Sequence, residues 1–335
     1  MNTTTYASIS PRQKAFTKTK LLERAKSIVV LEKWGQVDTL PRGNTNIVIW
    51  RRYLALLRPT APLSETVVPA GQTLSCVDVS CTLEAFGDLV WITRKITDFH
   101  EDPVLEDAGK NLGEIMAENT EIFRFNMLKA GTVCYFPGTA TTRATVNGVL
   151  DATMLRKMER SLKRNRARTI TELVAPTVKY GTEAVNPAYW IVGHTDCKAD
   201  IEQIPGFVPA KMYSSGVAIE GEIGSWGSFR FVLTDLFEPW VAAGYAGTTY
   251  LSGRDKVSGA TACDVYPLLV FGKDAYGIVP FAGKEAVELN VWKPGTVSPS
   301  QPMGQQGFVS AFRYEGCSIL QDAYMGRFEV AATAL

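Results

Sequence analysis

The stretch TNIVIWRRYLALLRPTAPLSETVVPAGQTLSCVDVSCTLE, residues 45–84, decides how the rest of the sequence is interpreted. Its first part, Thr45–Arg58, is rich in β-branched and aromatic residues and predicts a strand. Its last part, Gln72–Glu84, alternates between apolar and polar residues, as a strand with one buried face does. The apolar positions are Val77, Val79, Cys81 and Leu83. Because a proline-rich segment, residues 59–71, separates the two parts, we predict an extended β-hairpin.

A hairpin of this length has an apolar face that needs a partner. An isolated two-stranded hairpin is marginally stable at best in water. The apolar side of residues 72–84 must therefore lie against another surface, in the same subunit or in a neighbouring one. This is the first indication that the chain assembles with copies of itself.

Two helices are predicted after the hairpin. Asp102 is suited to cap the first helix and Pro103 to occupy its first position, while Gly131 ends it. At about 1.5 Å per residue this helix is roughly 40 Å long, enough to serve as a backbone for the molecule. A second helix is predicted around Leu150–Leu162, where apolar residues recur at helical spacing.

The second half of the chain has short strands, brief helices and many glycines. Strands are predicted at 189–193, 229–233, 266–270 and 288–292, and the closing part, 307–330, is predicted to be strand, turn and strand. Helices and strands are segregated along the chain, so the fold class is α+β and not a wound parallel sheet.

Bulk composition limits the classes of function. The chain has 335 residues, 21% of them charged, and a net charge of +1, which does not favour tight electrostatic binding by the whole surface. The N-terminal residues lack the apolar core of a signal peptide, and no apolar run is long enough to span a bilayer, so we expect synthesis in the cytoplasm and no membrane partner. The six scattered cysteines predict reduced, mostly buried thiols.

Seven stretches, in order along nearly the whole chain, carry a family resemblance. They are VLEKWGQ (30–36), TDFHEDPVLEDA (97–108), LKAGT (128–132), GHTDCKADIEQIPGFVP (193–209), GEIGS (221–225), DVYPLLVFGKDAYG (264–277) and QPMGQQGFVSAFRYEGCSILQDAYMGRFEV (301–330). With the order of the predicted elements, they resemble the Hong Kong 97-type major capsid proteins of tailed bacteriophages. The resemblance implies an N-terminal arm (1–44), an extended hairpin loop (45–98), a peripheral domain with a long spine helix (99–185), an axial domain (186–294) and C-terminal strands that return to the peripheral domain (295–335).

The resemblance also implies function and partners. Copies are expected to form hexamers and pentamers of an icosahedral shell around packaged double-stranded DNA, in a virion assembled in the host bacterial cytoplasm. Because only about 44 residues precede the hairpin, we expect a separate scaffolding protein, besides a portal and a possible decoration protein. We expect no enzymatic activity, no cofactor, no metal and no catalytic residue.

Two groups of residues are candidate contact sites. The hairpin tip is predicted to touch a neighbouring subunit through Arg58, Pro59, Pro62, Glu65, Pro69 and Gly71. A run of cations is a candidate inner surface for DNA phosphates: Arg156, Lys157, Arg160, Lys163, Arg164, Arg166 and Arg168. The competing interpretation of that run is a solvated helix face or a partner for acidic residues of a neighbour.

Several motifs have a structural and a functional interpretation. His194 and Cys197 are too few for a structural zinc site, and a cytoplasmic hydrolase that uses them with Asp196 stays an unfavoured alternative. His100 is interpreted as a structural residue where the long helix begins. The glycines of GEIGSWGS lack the lysine of a phosphate loop and predict a turn. An encapsulin-like compartment, with the same fold and a protein cargo, is the nearest alternative function.

Overall fold

The computed structural model describes residues 3–4, 30–38, 40, 43, 45–58, 60, 71–99, 104–175, 181–213, 218–246, 250–253, 262–280, 288–297 and 301–334. The strands are β1 Thr3–Thr4, β2 Gln36–Val37, β3 Ile47–Tyr53, β4 Cys76–Thr82, β5 Glu84–Thr93, β6 Cys134–Tyr135, β7 Ile170–Ala175, β8 Gly181–His194, β9 Val208–Pro209, β10 Glu222–Trp226, β11 Phe229–Thr234, β12 Tyr266–Phe271, β13 Tyr276–Pro280, β14 Glu288–Trp292, β15 Gln306–Ile319 and β16 Met325–Val330. The helices are α1 Arg94–Phe99, α2 Val104–Leu128, α3 Ala152–Arg164 and α4 Lys198–Glu202.

The first sheet is built around the 14-residue strand β15. Along the sheet the order is β1-β5-β15-β13-β2, and β14 pairs with β15 as well. The helix α2 covers one face, where its Leu112 and Met116 pack with Val309 and Ala311 of β15. Because successive residues of a strand point to opposite faces, the even-numbered residues of β15 lie on the face away from α2. We call that side the open face.

The second sheet lies between two apolar clusters. Its strand order is β6-β16-β12-β8-β11-β10-β9, with β7 paired to β8. All six residues of β12, YPLLVF, are buried. Leu268 and Val270 belong to the cluster that contains α3, whereas Leu269 and Phe271 belong to the cluster beneath α2. Burial on both faces explains why this strand is an uninterrupted apolar run rather than an alternating one.

Both predicted long helices are present. The helix α2 has 25 residues and is therefore about 37 Å long. Asp102, Pro103 and His100, which the sequence placed at its start, lie outside the described residues. The helix α3 buries Met154, Leu155, Met158 and Leu162, as its apolar spacing predicted.

The extended hairpin is present but its ladder is shorter than predicted. Strands β3 and β4 pair antiparallel from Ile47 opposite Thr82 to Tyr53 opposite Cys76. The predicted first strand, residues 45–58, was too long, because residues 54–58 have no strand assignment. The polypeptide beyond Tyr53 still runs alongside its partner, since the Leu54 N–H donates to the Ser75 carbonyl at 2.9 Å.

The strands β6 and β7, within the segment assigned to the peripheral domain, lie in the second sheet. Strand pairing differs from the predicted segmentation in two further places. The strands β13 and β14, within the segment assigned to the axial domain, pair with β15 in the first sheet. The strand β16, assigned to the C-terminal return, pairs along its whole length with β12 in the second sheet. Both differences arise because pairing joins strands that are far apart in sequence, which local patterns do not report.

Candidate assembly surfaces

One face of the hairpin rests on its own subunit. Val48, Trp50 and Cys81 pack with Val279 and Tyr314 on the open face of the first sheet. The Trp50 indole N–H donates to the Asp38 carboxylate at 2.5 Å. A Cβ atom at Gly277 would lie 2.9 Å from the Trp50 ring, so the glycine permits this close approach. These contacts fix the direction in which the hairpin leaves the subunit.

The other face of the hairpin is exposed. Ile49 is 61% exposed and Tyr53 is 62% exposed. Between them Arg51 donates through Nε and Nη2 to the two Asp78 carboxylate oxygens, each at 2.8 Å. The hydrogen bond from Arg51 lowers the pKa of Asp78. This exposed pair sets the cross-strand register rather than contributing much to stability, because solvent screens it.

The distal part of the hairpin carries leucines with little protein around them. Leu54, Leu56, Leu57 and Leu74 are 45%, 53%, 81% and 65% exposed. The Gln72 side chain holds this part together, because it accepts from the Leu57 N–H at 2.8 Å and donates to the Leu57 carbonyl at 2.9 Å. We call these four residues the distal leucines. Contiguous exposed apolar residues of this kind mark interaction surfaces.

The structure places two of the six predicted tip residues. Arg58 and Gly71 are both exposed. Arg58 directly follows Leu57, and Gly71 lies three residues before Leu74. Pro59, Pro62, Glu65 and Pro69 lie outside the described residues. The sequence analysis did not identify the distal leucines as contact residues. The run LALL at residues 54–57 was a usable signal, because it interrupts the alternation of apolar and polar residues that a strand with one buried face shows.

A buried charged network, also missed in the sequence, joins α2 to the first sheet and to the segment before the hairpin. Arg124 Nη2 lies 2.7 Å from Glu315 Oε1, and both side chains are almost fully buried. Glu121 accepts from the backbone N–H groups of Val30 and Leu31, each at 2.7 Å. Burial raises the pKa of Glu121 despite these bonds. The network fixes α2 relative to the sheet from which the hairpin projects.

The basic run forms one exposed surface on α3 and the turn after it. All seven cations are exposed, and the opposite side of α3 packs on the second sheet. Lys163 pairs with Glu159 at 2.6 Å, which raises the pKa of Lys163, and the Arg156 guanidinium lies 5.9 Å from the Trp226 ring centre. The other five side chains have no hydrogen-bond or ion-pair partner among the described residues. They are Lys157, Arg160, Arg164, Arg166 and Arg168.

The His194 and Cys197 motif is part of the core. Cys197 is buried, and burial raises the pKa of its thiol well above the usual value, which disfavours the thiolate that a nucleophile needs. The His194 Nδ1 accepts from the Asp196 N–H at 3.1 Å, and Asp196 accepts from the Tyr266 hydroxyl at 2.8 Å. This geometry favours the structural interpretation of the motif over the hydrolase alternative.

Other candidate sites also have structural explanations. Gly221 and Gly227 adopt φ of 80° and 56° at turns flanking β10, as the turn interpretation predicted. All six cysteines are free and four are buried.

Among the described residues, no group of three or more His, Cys, Asp or Glu side chains is arranged to hold a metal ion. No helix in the described part of the chain is long and apolar enough to cross a membrane.

A helix-backed sheet with a projecting hairpin, joined to a second sheet, defines a shell-forming subunit of the Hong Kong 97-type fold. The chain belongs to the phage capsid protein family, whose profile matches residues 77–303, more than half of its length. It is a major capsid protein of a bacteriophage, located in the virion capsid. No curated protein sequence matches the chain significantly.

Solved structures support the fold over the whole chain. The capsid of Ralstonia phage GP4 aligns with a TM-score of 0.65 at 10% identity, over 97% of this chain and 99% of that one. The head of Helicobacter pylori bacteriophage KHP40 aligns with a TM-score of 0.61 at 12% identity, over 99% and 98% of the two chains. The capsid of cyanophage P-SCSP1u aligns with a TM-score of 0.60 at 14% identity, over 95% and 94%.

Proposed function

We propose that copies of this capsid protein form hexamers and pentamers that close into an icosahedral shell around packaged double-stranded DNA. The observation that carries the proposal is the hairpin, whose base is fixed on its own subunit while the distal leucines are 45% to 81% exposed. A shell requires heterologous contacts, in which one patch binds a different patch on the next copy. Once a ring closes, later contacts are effectively intramolecular, so individually modest contacts suffice.

The proposed partners follow from this role. Besides itself, the protein is expected to act with a separate scaffolding protein, a portal and a possible decoration protein, in the host bacterial cytoplasm. The role is structural, without catalysis or a cofactor. The proposed peripheral domain is residues 99–185, with α2 as its spine helix, and the proposed axial domain is residues 186–294.

For DNA, we propose that the basic run lies on the inner wall of the shell. Its support is the presence of five exposed cations that no described acidic residue neutralises. Phosphate contacts from arginine and lysine bind DNA without sequence preference, which suits a container for a whole genome.

Reversing Arg160, Lys163 and Arg164 to Glu is expected to reduce the DNA retained in particles, because each reversal replaces attraction for phosphate by repulsion. The measurement is nuclease-protected DNA per particle. A control reverses Lys198 of α4 and Lys211 of the short helix 210–212, which are also exposed, and is expected to retain the parental amount. Unchanged retention in the triple variant would leave only the competing interpretation of the run, a solvated helix face or a partner for acidic residues of a neighbour.

The contents of particles made during infection test the function against the encapsulin-like alternative. We expect nuclease-protected double-stranded DNA of uniform length inside shells built from this chain. Shells that contain a protein cargo and no nucleic acid would contradict the proposal and favour the compartment.

A further inference from the structure

Three cationic side chains meet at the indole ring of Trp240, beside the end of α2. The Arg143 guanidinium lies 3.5 Å from the centre of this ring, the Lys129 ammonium 5.3 Å and the Arg327 guanidinium 5.9 Å. Among the described residues, only Glu329 supplies a carboxylate within 4 Å of these cations. We call these five residues the Trp240 cluster. Its surplus of positive charge is costly in a half-buried place unless an anion offsets it.

Bonds within the cluster occupy most of the donors of the two arginines. Arg143 donates through Nε and Nη2 to the two Glu329 carboxylate oxygens, at 2.8 and 2.9 Å. Arg327 Nε lies 2.8 Å from Glu329 Oε1. The Arg327 Nη1 donates to the carbonyl oxygens of Lys129 and Gly131 at the end of α2. Because Arg327 already bonds these carbonyl groups, the Lys129 ammonium is not needed to cap them.

The Lys129 ammonium and the Arg143 Nη1 are the donors that these bonds leave over. The Lys129 ammonium has no hydrogen-bond or ion-pair partner in the described part of the chain, and it lies 5.0 Å from the centre of the Phe125 ring. Burial lowers the pKa of Lys129, and the charge of Arg143 lowers it further, whereas Glu238 opposes this effect. Glu238 is exposed, so solvent screens its charge. Lys129 is therefore a half-buried cation that is short of negative charge.

The Trp240 cluster lies on the face of the second sheet opposite to the basic run. Arg327 and Glu329 alternate along β16 with Phe328 and Val330. Phe328 and Val330 pack in the cluster that contains α3, and successive residues of a strand point to opposite faces. The Arg143 side chain is 37% exposed, so the cluster is open to solvent on that side. A site here is therefore separate from the proposed DNA surface on α3.

We propose that the Trp240 cluster binds the doubly charged phosphate group of a phosphate monoester, with Lys129 Nζ and Arg143 Nη1 as hydrogen-bond donors. Three cations and one carboxylate leave a surplus of two positive charges, and a phosphate monoester carries about −1.5 to −2 at pH 7. The DNA backbone is the other source of phosphate, but each of its diesters carries a single charge and matches the surplus less well. Hydrogen bonds from lysine and arginine to phosphate oxygens are short and strong, which suits a site that is partly open to water.

Equilibrium dialysis of the full-length protein tests the proposal with two matched probes, methyl phosphate and dimethyl phosphate. We expect saturable binding of methyl phosphate, the monoester. Dimethyl phosphate, the singly charged diester, should bind at least about tenfold more weakly at the same ionic strength. Absence of methyl phosphate binding, or equal binding of the two probes, would overturn the proposal.

Substitution of Lys129 locates the site. Lys129→Met is expected to weaken methyl phosphate binding at least about tenfold, the loss that follows from removing one charged hydrogen bond, whereas Lys129→Arg should retain it. The matched control is Lys157→Met, which removes an exposed cation of the basic run and should leave the Kd unchanged. Parental binding by Lys129→Met, or an equal loss in Lys157→Met, would show that the phosphate binds elsewhere.

Labelling of lysines in the parental protein gives a second measurement that needs no variant. Methyl phosphate at roughly ten times its Kd should slow reductive methylation of Lys129 about tenfold, because the bound anion covers the ammonium. Lys198, which is exposed on α4, is the internal control and should react at the same rate with and without the probe. Equal slowing of both lysines, or slowing of neither, would contradict a site at the Trp240 cluster.

Discussion

Replacing residues 59–71 by a two-residue Asn-Gly turn is expected to abolish shells and leave a soluble, folded subunit. The subunit should fold because the hairpin base still packs through Trp50 and Cys81. The hydrogen bonds between Gln72 and Leu57 should also be kept, because both residues lie outside the replaced segment. Asn-Gly closes a two-residue hairpin with the twist that strands require. Shells should be lost because the variant lacks Pro59, Pro62, Glu65, Pro69 and Gly71, the residues predicted to touch a neighbouring subunit beyond the distal leucines. The measurements are light scattering for assembly and circular dichroism for folding.

Point substitutions sharpen this prediction. Changing Leu54, Leu56 and Leu57 to Gln is expected to prevent assembly as the deletion does, because it removes apolar surface without shortening the hairpin. Changing the same residues to Met keeps their volume and apolar character and should preserve assembly. Normal particles from the deletion and from the Gln variant would show that the hairpin has no part in assembly.

Arg124→Met is expected to destabilise the folded subunit by about 3 to 5 kcal/mol, the usual cost of removing one partner of a buried ion pair. Glu315, which is fully buried, would lose the guanidinium that lies 2.7 Å from it and would be left with that of Arg313, 2.6 Å from its other carboxylate oxygen. The measurement is the free energy of unfolding of the isolated subunit from denaturant titration.

Two controls separate the buried charge from a general effect of substitution. Lys157→Met removes an exposed cation without a described partner and is expected to change the free energy of unfolding by less than about 0.5 kcal/mol. Combining Arg124→Met with Glu315→Leu removes this pair but leaves Arg313, whose guanidinium lies 2.6 Å from Glu315, without that carboxylate, so only part of the loss should be recovered. A loss below about 1 kcal/mol for Arg124→Met would mean that solvent reaches the pair.

Local patterns in the sequence predicted the elements that depend on local physics. The helix α3 follows from apolar spacing, and the hairpin from alternation around a proline-rich segment. The alternation predicted one apolar face but not the decrease in burial along it, since Cys81 and Leu83 are buried and Val77 is 39% exposed. The apolar face meets its own sheet only at the base of the hairpin.

Features that depend on distant partners were not predicted. Arg124 occupies a buried position of α2, four residues before Leu128, and its pairing with Glu315, 191 residues later, and with Glu32 explains why a cation is tolerated there. The extent of β15 and the sheet in which β16 lies are set by pairing across the molecule. The basic run was predicted to be exposed by its composition, but the surface it faces in a shell is determined by neighbouring subunits.

The most direct test of the central claim is electron microscopy of particles formed when the chain is co-expressed with the other head proteins of its phage. We expect closed shells built from hexameric and pentameric rings, with density for each hairpin lying over the adjacent subunit. A small closed dimer or tetramer, or shells in which the hairpins touch only their own subunits, would contradict it.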